Sequence, residues 1–166
     1  MSAEEPKGES GGARLAGAIY GTILVMSVVA GVSATTESRA ATALIAAVVT
    51  SFVFWVAHVY ADTLAAHVTL REGTLSRARV REIANEDWPL VQAVLPPGVC
   101  LMLGVLGIVS DDAAVLLALG AGVVALAVWG AATARRGGAP LAGVIIAATV
   151  NVTLGLVIVA LKLLVH

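Results

Sequence analysis

The sequence predicts an all-α polytopic membrane protein: a bundle of five transmembrane helices with the N-terminus in the cytoplasm and the C-terminus outside. Three observations predict it. Of 166 residues, 59% are hydrophobic and 13% charged, against roughly 45–50% and 25% in soluble domains. Five apolar stretches each approach the roughly 20 residues that a ~30 Å hydrocarbon core requires of a helix. Lysine and arginine gather on alternate connections, as they do where the cytoplasmic side is the positive one. Helices rather than strands are required, because a lipid-buried backbone must satisfy its own hydrogen bonds and the stretches lack the ten-residue alternation of a barrel.

Residues 1–13 are rich in Glu, Ser, Gly, Pro and Lys, with almost nothing to bury, and are expected to form a disordered cytoplasmic tail. The bundle then occupies 14–166, with spans at about 14–34, 41–65, 90–109, 113–134 and 140–164. Val32-Ser33-Ala34 has the small-residue look of a signal cleavage site. The apolar region before it exceeds the roughly 7–15 residues of a signal core, so the first span is expected to be retained.

Orientation follows from the basic residues. Lys7, Arg14, Arg71, Arg77, Arg79, Arg81, Arg135 and Arg136 fall on one side, and Arg39 and Lys162 on the other. Eight against two puts the tail inside and His166 outside. A net charge of -1 and the lack of a long basic run remove the electrostatic reason to propose a nucleic-acid partner. The bilayer itself is the expected partner. The preference for arginine over lysine and the abundance of alanine and valine suit a GC-rich bacterial genome, hence a multi-pass protein of the bacterial inner membrane.

The one long polar connection, 66–89, has internal order. Ser76 is placed to cap a short helix, with Leu75 and Val80 as a hydrophobic staple. Val80, Ile83 and Ala84 share a face, Arg77, Arg79, Arg81 and Glu82 cover the rest, and Trp88-Pro89 is expected to stop the helix. The segment reads equally as an amphipathic helix on the cytoplasmic membrane surface or as a solvated loop with a positive-inside role.

Intramembrane polar residues are costly and mark candidate sites. Ser51, Trp55, His58 and Asp62 recur at spacings of four, three and four and so form one stripe on the second span. A His–Asp pair at i and i+4 suits a proton relay or pH-sensitive gate. The structural alternative is that Asp62 is interfacial and His58 bonds a neighbouring helix, and it carries more weight. Asn151, in mid-membrane on the last span, is expected to bond across helices or to line a polar pathway. Gly17 and Gly21 form a GxxxG pair for close packing, within one chain or between copies in a homo-oligomer. Pro96 and Pro97 should kink or break the third span.

His67 lies nine positions from His58, on the opposite face, so no metal site is expected, and Cys100 is alone. The chain has no Gly-rich phosphate loop, no HExxH, no GxSxG and no pair of deep carboxylates. We therefore expect neither an enzyme nor a cofactor. The first and last spans open alike at Leu15-Ala16-Gly17 and Leu141-Ala142-Gly143, but the likeness ends there. Five spans do not divide into the equal halves of an inverted-repeat transporter.

Tyr20-Gly21-Thr22-Ile23 and Trp55-Val56-Ala57-His58-Val59-Tyr60-Ala61 resemble a pattern in small uncharacterised actinobacterial integral membrane proteins. The resemblance covers the first two spans. It implies membrane placement and bacterial origin, carries no assigned activity, and draws attention to His58 and Tyr60. Three expectations follow: a membrane bundle of undetermined, non-enzymatic activity; a proton- or cation-conducting channel or small transporter using the His58/Asp62 stripe; or a membrane scaffold or assembly subunit.

Overall fold

The computed structural model describes residues 7–32, 39–70 and 76–165. Among these all regular secondary structure is helical, without strands: α1 (Lys7–Val32), α2 (Arg39–Leu70), α3 (Arg77–Glu86), α4 (Trp88–Gln92), α5 (Leu95–Val105), α6 (Asp111–Arg136) and α7 (Leu141–Val165). Four helices are long and apolar enough to cross a membrane, over Arg14–Val32, Arg39–His67, Asp111–Arg136 and Leu141–Leu164. A fifth crossing exists if the bent pair Arg77–Gln92 and Leu95–Val105 counts as one span.

Helix ends follow local chemistry. Ser110 caps α6 by accepting from Ala113 N at 3.3 Å. Asp111 and Asp112 in its first turn and Arg135 and Arg136 in its last complement the helix dipole. The α5 and α6 C-termini close in the same way. Gly107 donates to Gly104 O and Ile108 to Leu103 O, while Gly138 donates to Arg135 O and Ala139 to Ala134 O. Both turns need a left-handed residue, and Gly107 (φ 72°) and Gly138 (φ 71°) supply it.

The core runs between α1 and α6, the most buried crossings, each with 39% of its apolar window covered; α7, at 11%, is peripheral. Val25, Met26 and Val29 of α1 meet Val115, Ala118, Leu119 and Leu126 of α6, flanked by Ala43 and Ala47 of α2 and Leu101 of α5. Water-driven burial does not hold helices together inside lipid, so close van der Waals fit must, and small residues allow it. Gly104 is an instance: a Cβ there would lie 2.6 Å from the Ala114 Cβ and 2.8 Å from the Ala40 Cβ.

Two charge groups mark opposite ends of the bundle. At one, Arg39 pairs with Asp112, and Asp111 accepts from Ala40 N in the first turn of α2. At the other, Arg14, Arg77, Arg81 and Arg136 gather around shared clefts.

Several expectations are corrected. The tail is not irregular throughout 1–13, because α1 already begins at Lys7. A stable span has met the cost of nucleation, so each further polar residue is added at small cost. The third span is not one helix over 90–109. It breaks at Ala93–Val94, and the segments on either side diverge by 47°. Pro96 and Pro97 lie just after this break, in the first turn of α5, where a missing N–H leaves no hydrogen bond unmade. Trp88-Pro89 does not end α3. That helix stops at Glu86 with Asp87 as its cap, and Pro89 sits in the first turn of α4. Leu75, half of the expected staple, lies outside the described residues, but Ser76 does cap α3, accepting from Arg79 N.

Candidate functional site

The stripe on α2 divides between environments. Ser51 is fully buried, and its hydroxyl has no hydrogen-bond partner. The indole N–H of Trp55 donates to Ala84 O of α3 at 3.0 Å, and its ring meets Trp88 edge-on at 5.4 Å. Those two contacts fasten the α3–α4 connection against α2. The apolar face of α3 therefore turns toward the bundle, with Ile83 only 5% exposed.

His58 is half-buried beside Tyr20 of α1, with ring centroids 5.8 Å apart. Its Nδ1 lies 3.0 Å from Phe54 O. A carbonyl only accepts, so Nδ1 is the donor in this contact. Asp62 is exposed, and no hydrogen bond joins it to His58 among the described residues. Tyr60 and His67 are also exposed.

Asp87 was not anticipated from the sequence. It stands between α3 and α4, just ahead of the apolar stretch Trp88–Val105, within electrostatic reach of Asp62, His58 and Glu86. One of its carboxylate oxygens is buried without a partner. The only sequence signal was an aspartate next to a Trp-Pro pair. Its nearness to Asp62 depends on how the connection folds back.

The buried face of α2 continues beyond Ser51 as Ala47, Ala43 and Ala40, all fully buried. The polar half of the stripe thus ends in a dry, closely packed half. Asn151 belongs to a different interface. Its amide donates to Ala147 O on its own helix at 2.9 Å, and a Cβ on Gly130 of α6 would lie 2.6 Å from its Nδ2. The GxxxG pair also divides: a Cβ on Gly21 would lie 2.7 Å from Leu90 O, whereas one on Gly17 meets nothing within 4 Å.

At the arginine-bearing end lie two clefts that share Arg14. One, of about 590 Å³, is lined by Arg77, Arg81, Glu82, Asn85 and Glu86. The other, of about 330 Å³, opens between α1, α4 and α6 and is lined by Leu15, Ala18, Gln92, Trp129 and Arg136. Sequence reasoning counted Arg14 and Arg136 only for orientation, and Arg77 and Arg81 also as the polar face of an amphipathic connection. Their meeting requires three non-adjacent helices. Among the described residues, no three His, Cys, Asp or Glu side chains gather as a metal site would require. No family model matches the chain, and no curated protein or solved structure matches it.

Proposed function

We propose that this chain is a non-enzymatic integral membrane protein of the bacterial inner membrane, N-terminus inside and C-terminus outside. On this reading it works as a binding or assembly subunit through its arginine-bearing end. The observation that carries it is the abrupt end of the polar stripe. Ser51 is followed by Ala47, Ala43 and Ala40 at 0% exposure, and a continuous ion or proton path needs polar groups or water along that length. Asn151 lies between α6 and α7 and does not extend the stripe.

A proton- or cation-conducting channel or small transporter is the second reading. Two observations favour it: among the described residues the Ser51 hydroxyl and an Asp87 oxygen are buried without partners, and Asp87 lies within the bent pair Arg77–Gln92 and Leu95–Val105. Broken spans often line transport sites.

Proton and monovalent-cation flux into proteoliposomes separates the two. We expect wild-type protein to pass no more than empty liposomes. Flux that both His58→Ala and Asp62→Asn abolish would overturn the first reading and establish conduction through the stripe.

A further inference from the structure

Resting on the reading of the arginine-bearing end as the working surface, we infer that the cleft between α1, α4 and α6 binds the phosphate-bearing headgroup of an anionic phospholipid. Its volume of about 330 Å³ falls within the roughly 300–1,000 Å³ of small-molecule sites. Arg14 of α1, Arg136 from the last turn of α6 and the carboxamide of Gln92 line it. Arg136 lies close to α1, where a Cβ on Gly11 would lie 4.0 Å from its Nη1.

Charge separates this cleft from its neighbour. Glu82 and Glu86 line the larger cleft beside Arg77 and Arg81, whereas among the described residues no carboxylate lines the smaller one. Among the described residues neither Arg14 nor Arg136 is ion-paired. Two unneutralised guanidiniums offer planar pairs of donors that match phosphate oxygens.

Depth argues for a lipid over a free anion. Leu15 and Ala18 are buried in the cleft wall. Trp129 lies seven residues before Arg136 on α6, about 10 Å along the axis at 1.5 Å per residue. The cleft therefore runs from a doubly cationic mouth to an aromatic and aliphatic wall, the polarity sequence of a phospholipid from phosphate through glycerol to acyl chain. Basic pockets between membrane helices bind anionic headgroups in this way. A free phosphate would use only the mouth.

The test uses the purified full-length protein in detergent with added phosphatidylglycerol or phosphatidylcholine, read by native mass spectrometry and by the thermal midpoint. Wild type should retain and be stabilised by phosphatidylglycerol in preference to phosphatidylcholine. The Arg14→Gln/Arg136→Gln variant should lose that preference by roughly 30-fold, as expected for two interfacial arginines, while Arg77→Gln/Arg81→Gln keeps it. Millimolar inorganic phosphate should not reproduce the stabilisation. Equal retention of both lipids, an unchanged preference in the Arg14/Arg136 variant, or equal protection by inorganic phosphate would each overturn the proposal. Should the double variant not fold, Arg136→Gln decides alone, because that residue is exposed at a helix end and its loss leaves the core intact. Flux in the proteoliposome experiment would remove the wider reading of this end, whereas equal retention of the two lipids by the wild type removes only this site.

Discussion

Replacing Gly21 with alanine should destabilise the protein by about 1–3 kcal/mol, the usual cost of overpacking a close contact, while Gly17→Ala should leave stability unchanged or slightly raised. The two glycines sit one turn apart on α1, and both belong to the same GxxxG pair. Their surroundings differ. A Cβ on Gly21 would meet Leu90 O at 2.7 Å, Ala93 Cβ at 2.9 Å and Leu90 Cα at 3.1 Å. Two of these atoms belong to the backbone, so no rotamer change relieves the clash, and α1 must move away from α4. Gly17 has open space within 4 Å, and alanine there gains the roughly 0.5–1 kcal/mol by which it exceeds glycine in a helix. The contact lies beside the break at Ala93–Val94, so Gly21 makes room for the bent span. Unfolding of both variants in one detergent checks the contrast. Equal effects at the two sites would show that the pair acts as a unit, for example across a dimer.

The second large effect is expected at Met26, which is fully buried at the centre of α1. Met26→Ala removes a side chain that the packed core cannot fully replace, for a loss of about 2–5 kcal/mol. Its partner is Gly122 of α6, where a Cβ would lie 2.5 Å from Met26 Cγ and 2.6 Å from Sδ. Gly122→Leu alone should therefore destabilise, but in the Met26→Ala background it should refill the vacated space and recover part of the loss. The expected coupling is roughly 0.5–3 kcal/mol, as for residues in direct contact. Additive losses would mean that α1 and α6 do not pack as described. Methionine's flexible chain is the reason to prefer a double-mutant cycle to either single change.

Much of the architecture was legible because long apolar stretches impose it. Composition and run length required helices, and four of the five expected apolar stretches correspond to single helices long and apolar enough to cross a membrane, since an unpaired backbone in hydrocarbon has no other solution. Ser76 as the α3 cap was also legible, because capping is a local hydrogen bond between neighbours in sequence. The same locality explains why the separation of the arginines from Arg39 could be read from connections alone.

Tertiary structure decided what depends on distant neighbours. The double proline announced a disturbed third span, but packing put the break two residues ahead of it, opposite Gly21. Periodicity aligned Ser51, Trp55, His58 and Asp62, yet only the fold separates a buried hydroxyl, an indole bonded to Ala84 O, an imidazole bonded to its own helix and an exposed carboxylate. A helical period says which residues share a face and nothing about what covers that face. Asp87 could not be joined to Asp62 in advance, nor Arg14 to Arg136, because these pairs meet through the packing of helices that sequence spacing does not encode. By itself the sequence determined the apolar character of this protein, its long helices and the two ends of its charge. The tertiary structure alone decided which polar groups are buried, which are paired and which arginines share a cleft, because those follow from contacts between segments far apart in the chain.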